Sequence, residues 1–458
     1  MEILDSALGR DIENITQASN VFKRQYWTAD LHNPKETVSE LIKVLSFDKI
    51  RDYEGNFADE VIITILIPAG KYAYRVYPYL DNLEFTLYKH SPKNIATRLD
   101  GADSISHERF TATVLNPPAT TVEMNSRNQP SEHALDLNGF VELQIQLLNK
   151  AVDQMRMRTV GGNYRNCTAE EVIKSILTTE SQKLEVSSEY LPKGVDMVPV
   201  VSPLKRDHIL VKQGTRLVDV PSYIHQHCGG VYSTGFSHYF QNGLWYVYPT
   251  YNTTRFEKTP KTMTIINVPA MQMPGSEKTY LLDGNHLTIM ATGQTKVLNA
   301  SEKLILNHGN GVRFADGNFF MESFAETLEN KAVASRGKTN NEFITIQRDS
   351  TVNNVLMSPT RITANPLLEY SKLAARDGSM MLVSWENSDP DLIYPGMPVR
   401  LKYLDGQDIK QVDGVVLKVH NYTQLVPGDG IMNNRHISTT NMSLFIKRTI
   451  FKKPQEKG

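Results

Sequence analysis

The chain has 458 residues, 40% of them hydrophobic and 22% charged, which is room for about three domains at ~150 residues each and excludes a disordered chain. Lys and Arg total 49 against 50 Asp and Glu, for a formal charge of −1. With no basic stripe either, a protein that grips nucleic acid along its length is excluded.

The first residues, MEILDSALGR, lack the basic start and apolar core of a secretory signal. The longest apolar run, Val61 to Ile67, falls well short of the ~20 residues that cross a bilayer and reads as a buried strand. Two cysteines, Cys167 and Cys228, then read as free thiols in a reducing compartment, as expected of a soluble protein made inside a cell.

The first ~160 residues read as mostly β. Leu83, Phe85 and Leu87 alternate with polar neighbours, as do Val141, Leu143, Ile145 and Leu147, so each stretch predicts a half-buried strand. Tyr72 to Tyr79, YAYRVYPY, predicts another that ends or reaches an edge at Pro78. Val38, Leu41, Ile42 and Leu45 stand at helical spacing and suggest a helix over Thr37–Leu45. The Pro-, Ser- and Asn-rich stretch from Asn116 to Pro130 reads as a loop.

The style changes at Gly161-Gly162. Thr168 and Glu171 have capping-box spacing, and Val172, Ile173, Ile176 and Leu177 follow at helical spacing. A second short helix is predicted after Asp219, with Pro221 in its first turn and Gly229-Gly230 at its end. Next comes GFSHYFQNGLWYVYPTY, residues 235–251, with Asn242-Gly243 at its centre. That dipeptide suits the two positive φ angles of a type I′ turn. The register then follows: Gln241 opposite Leu244, Phe240 opposite Trp245, Tyr239 opposite Tyr246, His238 opposite Val247. Phe236, His238, Phe240, Trp245 and Val247 share one face; Tyr239, Gln241, Leu244, Tyr246 and Tyr248 share the other.

The last ~200 residues return to β. Asp283-Gly284 and Asp316-Gly317 are turn signals, Phe343–Gln347 is a short strand, and Asn365–Arg376 suggests a short helix. Alternating strands are predicted over Val399–Leu404, Val415–His420 and Met442–Arg448. A tight turn at Tyr394–Pro398 leads into the first, and Asp413-Gly414 into the second. The polar tail from Lys452 reads as frayed. No fixed-period repeat appears, but two β-rich outer thirds flanking an α+β middle suggest two related barrels.

Signatures of chemistry are sparse. His225, His227, Cys228 and His238 are the best metal candidates, but they lack the spaced pairs of a zinc site and read as packed or surface side chains. Cys228 beside His225 reads as a buried thiol near a helix cap rather than a nucleophile and base. Gly309 to Gly311 lacks a third glycine and a following helix, and there is no nucleophile elbow or Walker loop. Glu170-Glu171 suits a helix start. Tyr72, Tyr74, Tyr77 and Tyr79 could stack a base or a sugar, but with only Lys71 and Arg75 among them packing is the simpler use. No catalytic, cofactor-binding or metal residues and no cofactors are therefore expected.

The block from Thr168 to Tyr251, with its capped helix, second helix ending in GGVY (229–232) and hairpin closing on WYVYP (245–249), resembles the central hub proteins of phage tails. YPGMPVRLKYLDG (394–406) followed by GVVLKVHNY (414–422) is similar to the last barrel of such hubs. The resemblance covers the last two-thirds of the chain and rests on packing and turn patterns. It implies a mainly β fold with two tail-tube-like β-barrels flanking a small α+β domain, divided as 1–160, 161–258 and 259–458 with an insertion near 295–360. It further implies a homotrimer that adapts the sixfold tail tube to a threefold spike. The implied partners are the tail tube protein, the spike protein, other baseplate proteins and the tape measure protein, with DNA passing only in transit and no stable membrane association. The implied setting is the tail baseplate of a virion, assembled in the host cytoplasm. Two alternative functions stand beside it: a peptidoglycan hydrolase in 295–360, where His308, Asp316, Glu322, Glu326 and Glu329 lie, and a receptor- or glycan-binding module using exposed tyrosines.

Overall fold

The computed structural model describes residues 7–17, 26–38, 42–91, 104–115, 139–293 except 202, and 378–447 except 406–407 and 427–435. It also describes the backbone of 313–316 and 343–346, and single positions at 117, 365, 367, 371, 374 and 375.

The first lobe contains β1 (Tyr26–His32), β2 (Thr37–Val38), β3 (Lys43–Asp52), β4 (Glu60–Pro68), β5 (Leu83–Ser91), β6 (Ser104–Val114) and β7 (Phe140–Asn149). The middle contains β8 (Thr159–Cys167), β9 (Gly194–Met197), β10 (Arg206–Arg216), β11 (Ser237–Gln241) and β12 (Leu244–Tyr248). The last lobe contains β13 (Thr262–Asn267), β14 (Tyr280–Asp283), β15 (His286–Ala291), β18 (Gly378–Glu386), β19 (Pro398–Asp405), β20 (Asp408–Leu425) and β21 (His436–Lys447), while β16 (Arg313–Asp316) and β17 (Phe343–Ile346) form a separate two-stranded sheet. Four helices stand out: α1 (Ala7–Gln17), α2 (Lys150–Met157), α3 (Ala169–Ser181) and α4 (Val220–His227).

The strand order of the two lobes is the same. Take the longer strands of each lobe in chain order, β1, β3, β4, β5, β6, β7 and β13, β15, β18, β19, β20, β21. In both, first pairs with fourth, fourth with fifth, fifth with sixth and sixth with third. Third meets second through the β3–β4 ladder in the first lobe, and in the last through reciprocal bonds of 2.8 Å between Thr292 and Ser384. The last lobe then closes into a six-stranded ring, because β13 also pairs with β15. In the first lobe the remaining seam, β1 beside β3, is held by side chains: the Trp27 and Phe47 rings meet edge to face at 4.6 Å. The expected mainly β fold, with two barrels flanking an α+β module, is the one observed.

The lobes are also one sheet. β20 is 18 residues long. Its first half pairs with β19, its register slips between Val416 and Lys418, and residues 418–424 then pair antiparallel with 46–52 of β3. A bulge that bends the strand is thus the point where it changes partner. Asp413-Gly414, read as a lead-in to a strand, lies inside this long one. There a Cβ on Gly414 would meet the Phe445 carbonyl oxygen at 2.5 Å.

Each unit has its own core. The first lobe packs Leu31, Phe47, Ile63, Phe85 and Leu143, among others. The middle packs α3 and α4 beneath Trp245 and Val247. The last lobe packs Ile265, Trp385, Val399 and Leu444. Leu8, Ile12 and Ile15 of α1, at helical spacing, cover Ile266, Val268 and Met290 on the outside of the last lobe. The three tryptophans of the sequence, Trp27, Trp245 and Trp385, fall one to each main core.

Three local expectations are corrected. The described residues of Thr37–Leu45 are not helical: Thr37–Val38 and Lys43 onward are strands. Of the expected helical positions, Val38 lies on β2 and Leu45 is the residue skipped where the β3–β4 register slips between Val44 and Ser46, so a strand break and a bulge set the apolar spacing. Tyr72–Tyr79 is not a strand but a π-type turn over Tyr72–Val76 followed by 3-10 turns over Tyr77–Asn82. Tyr72 and Val76, four apart, are the buried pair, so the spacing that governs is helical and the alternating tyrosines are incidental. Val61–Ile67 is a strand as expected, but half-buried rather than buried: Val61, Ile63, Ile65 and Ile67 face the core while Ile62 is 37% exposed. The loop at Asn116–Pro130, the helix at Asn365–Arg376 and the tail from Lys452 fall almost wholly outside the described residues.

Candidate functional site

The aromatic hairpin has the register its turn dictates. Gln241 faces Leu244, Phe240 faces Trp245, Tyr239 faces Tyr246, and His238 faces Val247. Asn242 and Gly243 hold φ of 52° and 78°, the left-handed values a type I′ turn requires. β9 adds in parallel beside β12. Both faces of the hairpin are covered. Phe240, Trp245 and Val247 sit in the middle core, and Tyr239, Tyr246 and Tyr248 sit in the core of the last lobe. The hairpin is thus a shared wall between two cores.

Beside it the two lobes meet in a buried set of charges. Arg51 on β3 is fully buried. Its Nε donates to Asp59 Oδ2 at 3.0 Å, its Nη2 to Asp391 Oδ1 at 3.0 Å, and its Nη1 to the Pro390 carbonyl at 2.6 Å. Lys89 on β5 donates to Asp389 at 2.6 Å and to the second oxygen of Asp391 at 2.8 Å. Lys49, also buried, lies 3.7 Å from Asp59 and 3.6 Å from Asp391. Three cations from the first lobe thereby face three carboxylates, two of them on the 389–391 turn of the last lobe. Tyr239 of the hairpin donates to the other oxygen of Asp59 at 3.0 Å. Tyr53 donates to Gln241 at 3.1 Å, and Gln241 to the Ile393 carbonyl at 2.7 Å.

The electrostatics hold this joint in its ionised form. Burial opposes ionisation of Asp391, but Lys89, Lys49 and Arg51 outweigh it and keep the carboxyl well below the usual carboxylate range. Burial likewise opposes the charge on Arg51, yet Asp59 and Asp391 raise its proton affinity well above the ordinary value. Lys89 is raised the same way, against burial, by Asp391 and Asp389. A network of this kind, with buried cations and partly exposed, shared carboxylates, is a weak source of net stability but fixes the geometry of the groups it joins. It ties β3 and β5 of the first lobe to the 389–391 turn of the last.

The metal candidates have other partners. His225 is buried, stacks on Phe236 with ring centroids 4.4 Å apart, and accepts at Nδ1 from the Val231 N–H at 3.1 Å. Burial lowers its pKa to about 4. His238 lies 2.8 Å from the Val218 carbonyl and 3.4 Å from Ser222 Oγ. The Cys228 thiol points to the Leu210 carbonyl at 3.8 Å, and burial raises its pKa. His227 tilts against Tyr223. Among the described residues no group of three or more His, Cys, Asp or Glu stands ready for a metal. Of the four N-terminal tyrosines, Tyr72 is buried, Tyr77 and Tyr79 pack against the first core, and Tyr74 is exposed, so they form no common stacking platform. His308, Glu322, Glu326 and Glu329 lie outside the described residues, and Asp316 is described in its backbone alone.

The charged joint itself went unread in the sequence. Its signal was there: Lys49 and Arg51 alternate in phase with Phe47, placing two cations on the inward face of β3.

No protein-family model and no curated protein sequence matches the chain. Solved structures similar to it include a tail protein from Neisseria meningitidis MC58, with 11% identity, TM-score 0.41, and coverage of 92% of this chain and 97% of that one. A 43 kDa tail protein of prophage MuSo2 from Shewanella oneidensis has 7% identity and TM-score 0.40, covering 91% and 98%. An E. coli component of the type VI secretion system, itself described as similar to T4 bacteriophage tail proteins, has 8% identity and TM-score 0.37, covering 92% and 77%. Likenesses at this level carry no argument about this chain's role. No helix among the described residues is long and apolar enough to cross a membrane.

Proposed function

We propose that the chain is a structural subunit of a phage tail baseplate or related injection system: a central hub that works as a trimer. Three copies, each with two barrels of like strand order, would present six near-equivalent lobes to a sixfold tail tube while keeping a threefold end for a spike. The observation that carries this reading is the shared order of neighbours in the two lobes. A single barrel per copy would offer the tube three contacts, not six. The charged joint supports the same reading, because a ring closes only if each lobe-to-lobe angle is fixed.

On this reading the domains are 1–160, 161–258 and 259–458, and the chain is not an enzyme. Its partners are further copies of itself, the tube, the spike, other baseplate proteins and the tape measure protein, with DNA only in transit, and its place is the virion tail. Mass photometry of the purified protein tests it: a species of three times the 51.7 kDa chain mass is expected, and a monomer at every concentration would overturn it.

A further inference from the structure

A second feature lies away from the joint, on the tyrosine side of the hairpin. Here a cleft of about 780 Å³ opens between β12, the segment after β9 and the 3-10 turn Thr253–Lys258. Arg255 lines it and is only 7% exposed. One Nη of its guanidinium donates to the Gly396 carbonyl, while its buried Nε has no hydrogen-bond partner. Among the described residues no carboxylate pairs with it. Its charged and titratable neighbours are the Tyr394, Tyr248 and Tyr232 phenols, with Asp196, also on the cleft wall, acting more weakly. The contrast with the other buried cations is direct, since Arg51, Lys49 and Lys89 each sit against two carboxylates. A buried guanidinium without an anion is costly unless something supplies one.

The rest of the cleft says what brings the anion. Its walls are apolar and aromatic, with Val198, Pro199, Tyr246 and Pro395 among them, and Val201 stands 99% exposed at the rim. Lys258 adds a second positive charge. β9, whose end leads into this wall, is the edge strand of its three-stranded sheet. An edge next to side-chain pockets suits an extended polypeptide, whose backbone follows the edge while alternate side chains fill the pockets. The tyrosine rings that line it are rigid, and two are held in place: Tyr232 donates to the Val198 carbonyl and Tyr394 to the Lys261 carbonyl.

We propose that this cleft binds an extended segment of a partner protein, with an acidic side chain of that segment paired to Arg255 and apolar neighbours on either side. Neither the duplicated barrels nor a trimer is needed for this binding.

The test uses the full-length protein and two pools of capped pentapeptides, one with a central Glu between apolar residues and one with Gln in its place. Titration calorimetry is expected to show the Glu pool binding at least tenfold more tightly. Arg255→Gln should erase that preference, and Arg255→Lys, which keeps the charge should the Gln variant fail to fold, should retain part of it. Equal binding of the two pools to the unmodified protein, or no binding of either, overturns the proposal. Loss of self-association in Arg255→Lys would make the occupant a second copy of the chain and also overturn it.

Discussion

In the first barrel β1 runs against β5, whereas in the last barrel β13 runs along β19. This reversal of one strand accompanies a difference in closure. β13 completes the last barrel with a full ladder to β15. β1 approaches β3 only through side chains, and the backbone edge of β3 is instead taken by β20 from the other lobe. The seam left open in one barrel is therefore what lets the two join as a continuous sheet. Unpaired strand edges are a liability, and here the edge is used inside the chain. The last barrel, already closed, has one patch of its outer surface, at Ile266, Val268 and Met290, covered by α1.

This contrast can be broken at several points, and the three tryptophans, one per core, report on each unit separately. The largest effect is expected from Trp245→Ala. Trp245 is fully buried and donates to Ser181 at 3.3 Å, so its loss should cost about 3–5 kcal/mol in denaturant unfolding. An unchanged midpoint would mean that the hairpin is not the shared wall described. Arg51→Ala should cost less, about 1.5–3 kcal/mol, because it removes charge-assisted hydrogen bonds to Asp59 and Asp391 while Lys49, Lys89 and Tyr239 still face those carboxylates. It should also separate the unfolding of the two barrels, read through Trp27 and Trp385 in variants with the other tryptophans replaced by Phe. Superimposed transitions with a loss under about 1 kcal/mol would show the joint to be dispensable.

The middle unit and the joint should also differ in their response to acid. The pKa of His225 is lowered by burial to about 4 in the fold, against about 6.5 unfolded. Its contribution is complete above the unfolded value and is lost as pH falls toward 4, amounting to about 3 kcal/mol at most. His225→Phe, which cannot take up the proton, should flatten melting temperature between pH 6.5 and 4. Asp391, held below the usual carboxylate range, acts lower: its stabilisation is present above the unfolded value of about 3.9 and is lost as pH falls through the folded one. Asp391→Asn should therefore leave the slope above pH 5 unaltered, and a changed slope there would contradict the network. The smallest effect belongs to α1. Asp11 and Lys402 pair at 2.8 Å but are partly exposed, so Asp11→Ala should cost less than about 1 kcal/mol.

What the sequence disclosed and what it hid have physical reasons. The hairpin was legible because Asn242-Gly243 fixes the turn, and a fixed turn fixes every cross-strand pair. α3 was legible because its capping box closes both ways, Thr168 N–H to Glu171 at 2.8 Å and Glu171 N–H to Thr168 at 3.2 Å. β5 and β7 were legible because each has one dry face. The 72–82 segment was not, because tyrosine suits strands and turns alike and only the burial of Tyr72 with Val76 decides. The joint was hidden for a different reason. Arg51 meets Asp391 across 340 positions, and inward-facing charges are legible only when their counter-charges are known. The orphaned state of Arg255 is a property of the folded neighbourhood and leaves no local mark.

The duplicated lobes are tested most directly by electron microscopy of the purified protein, with particles averaged down the assembly axis. Six similar densities alternating between two kinds, related by threefold symmetry, are expected. Solitary two-lobed particles, or a ring without that alternation, would contradict the assignment of the two barrels as near-equivalents in one ring.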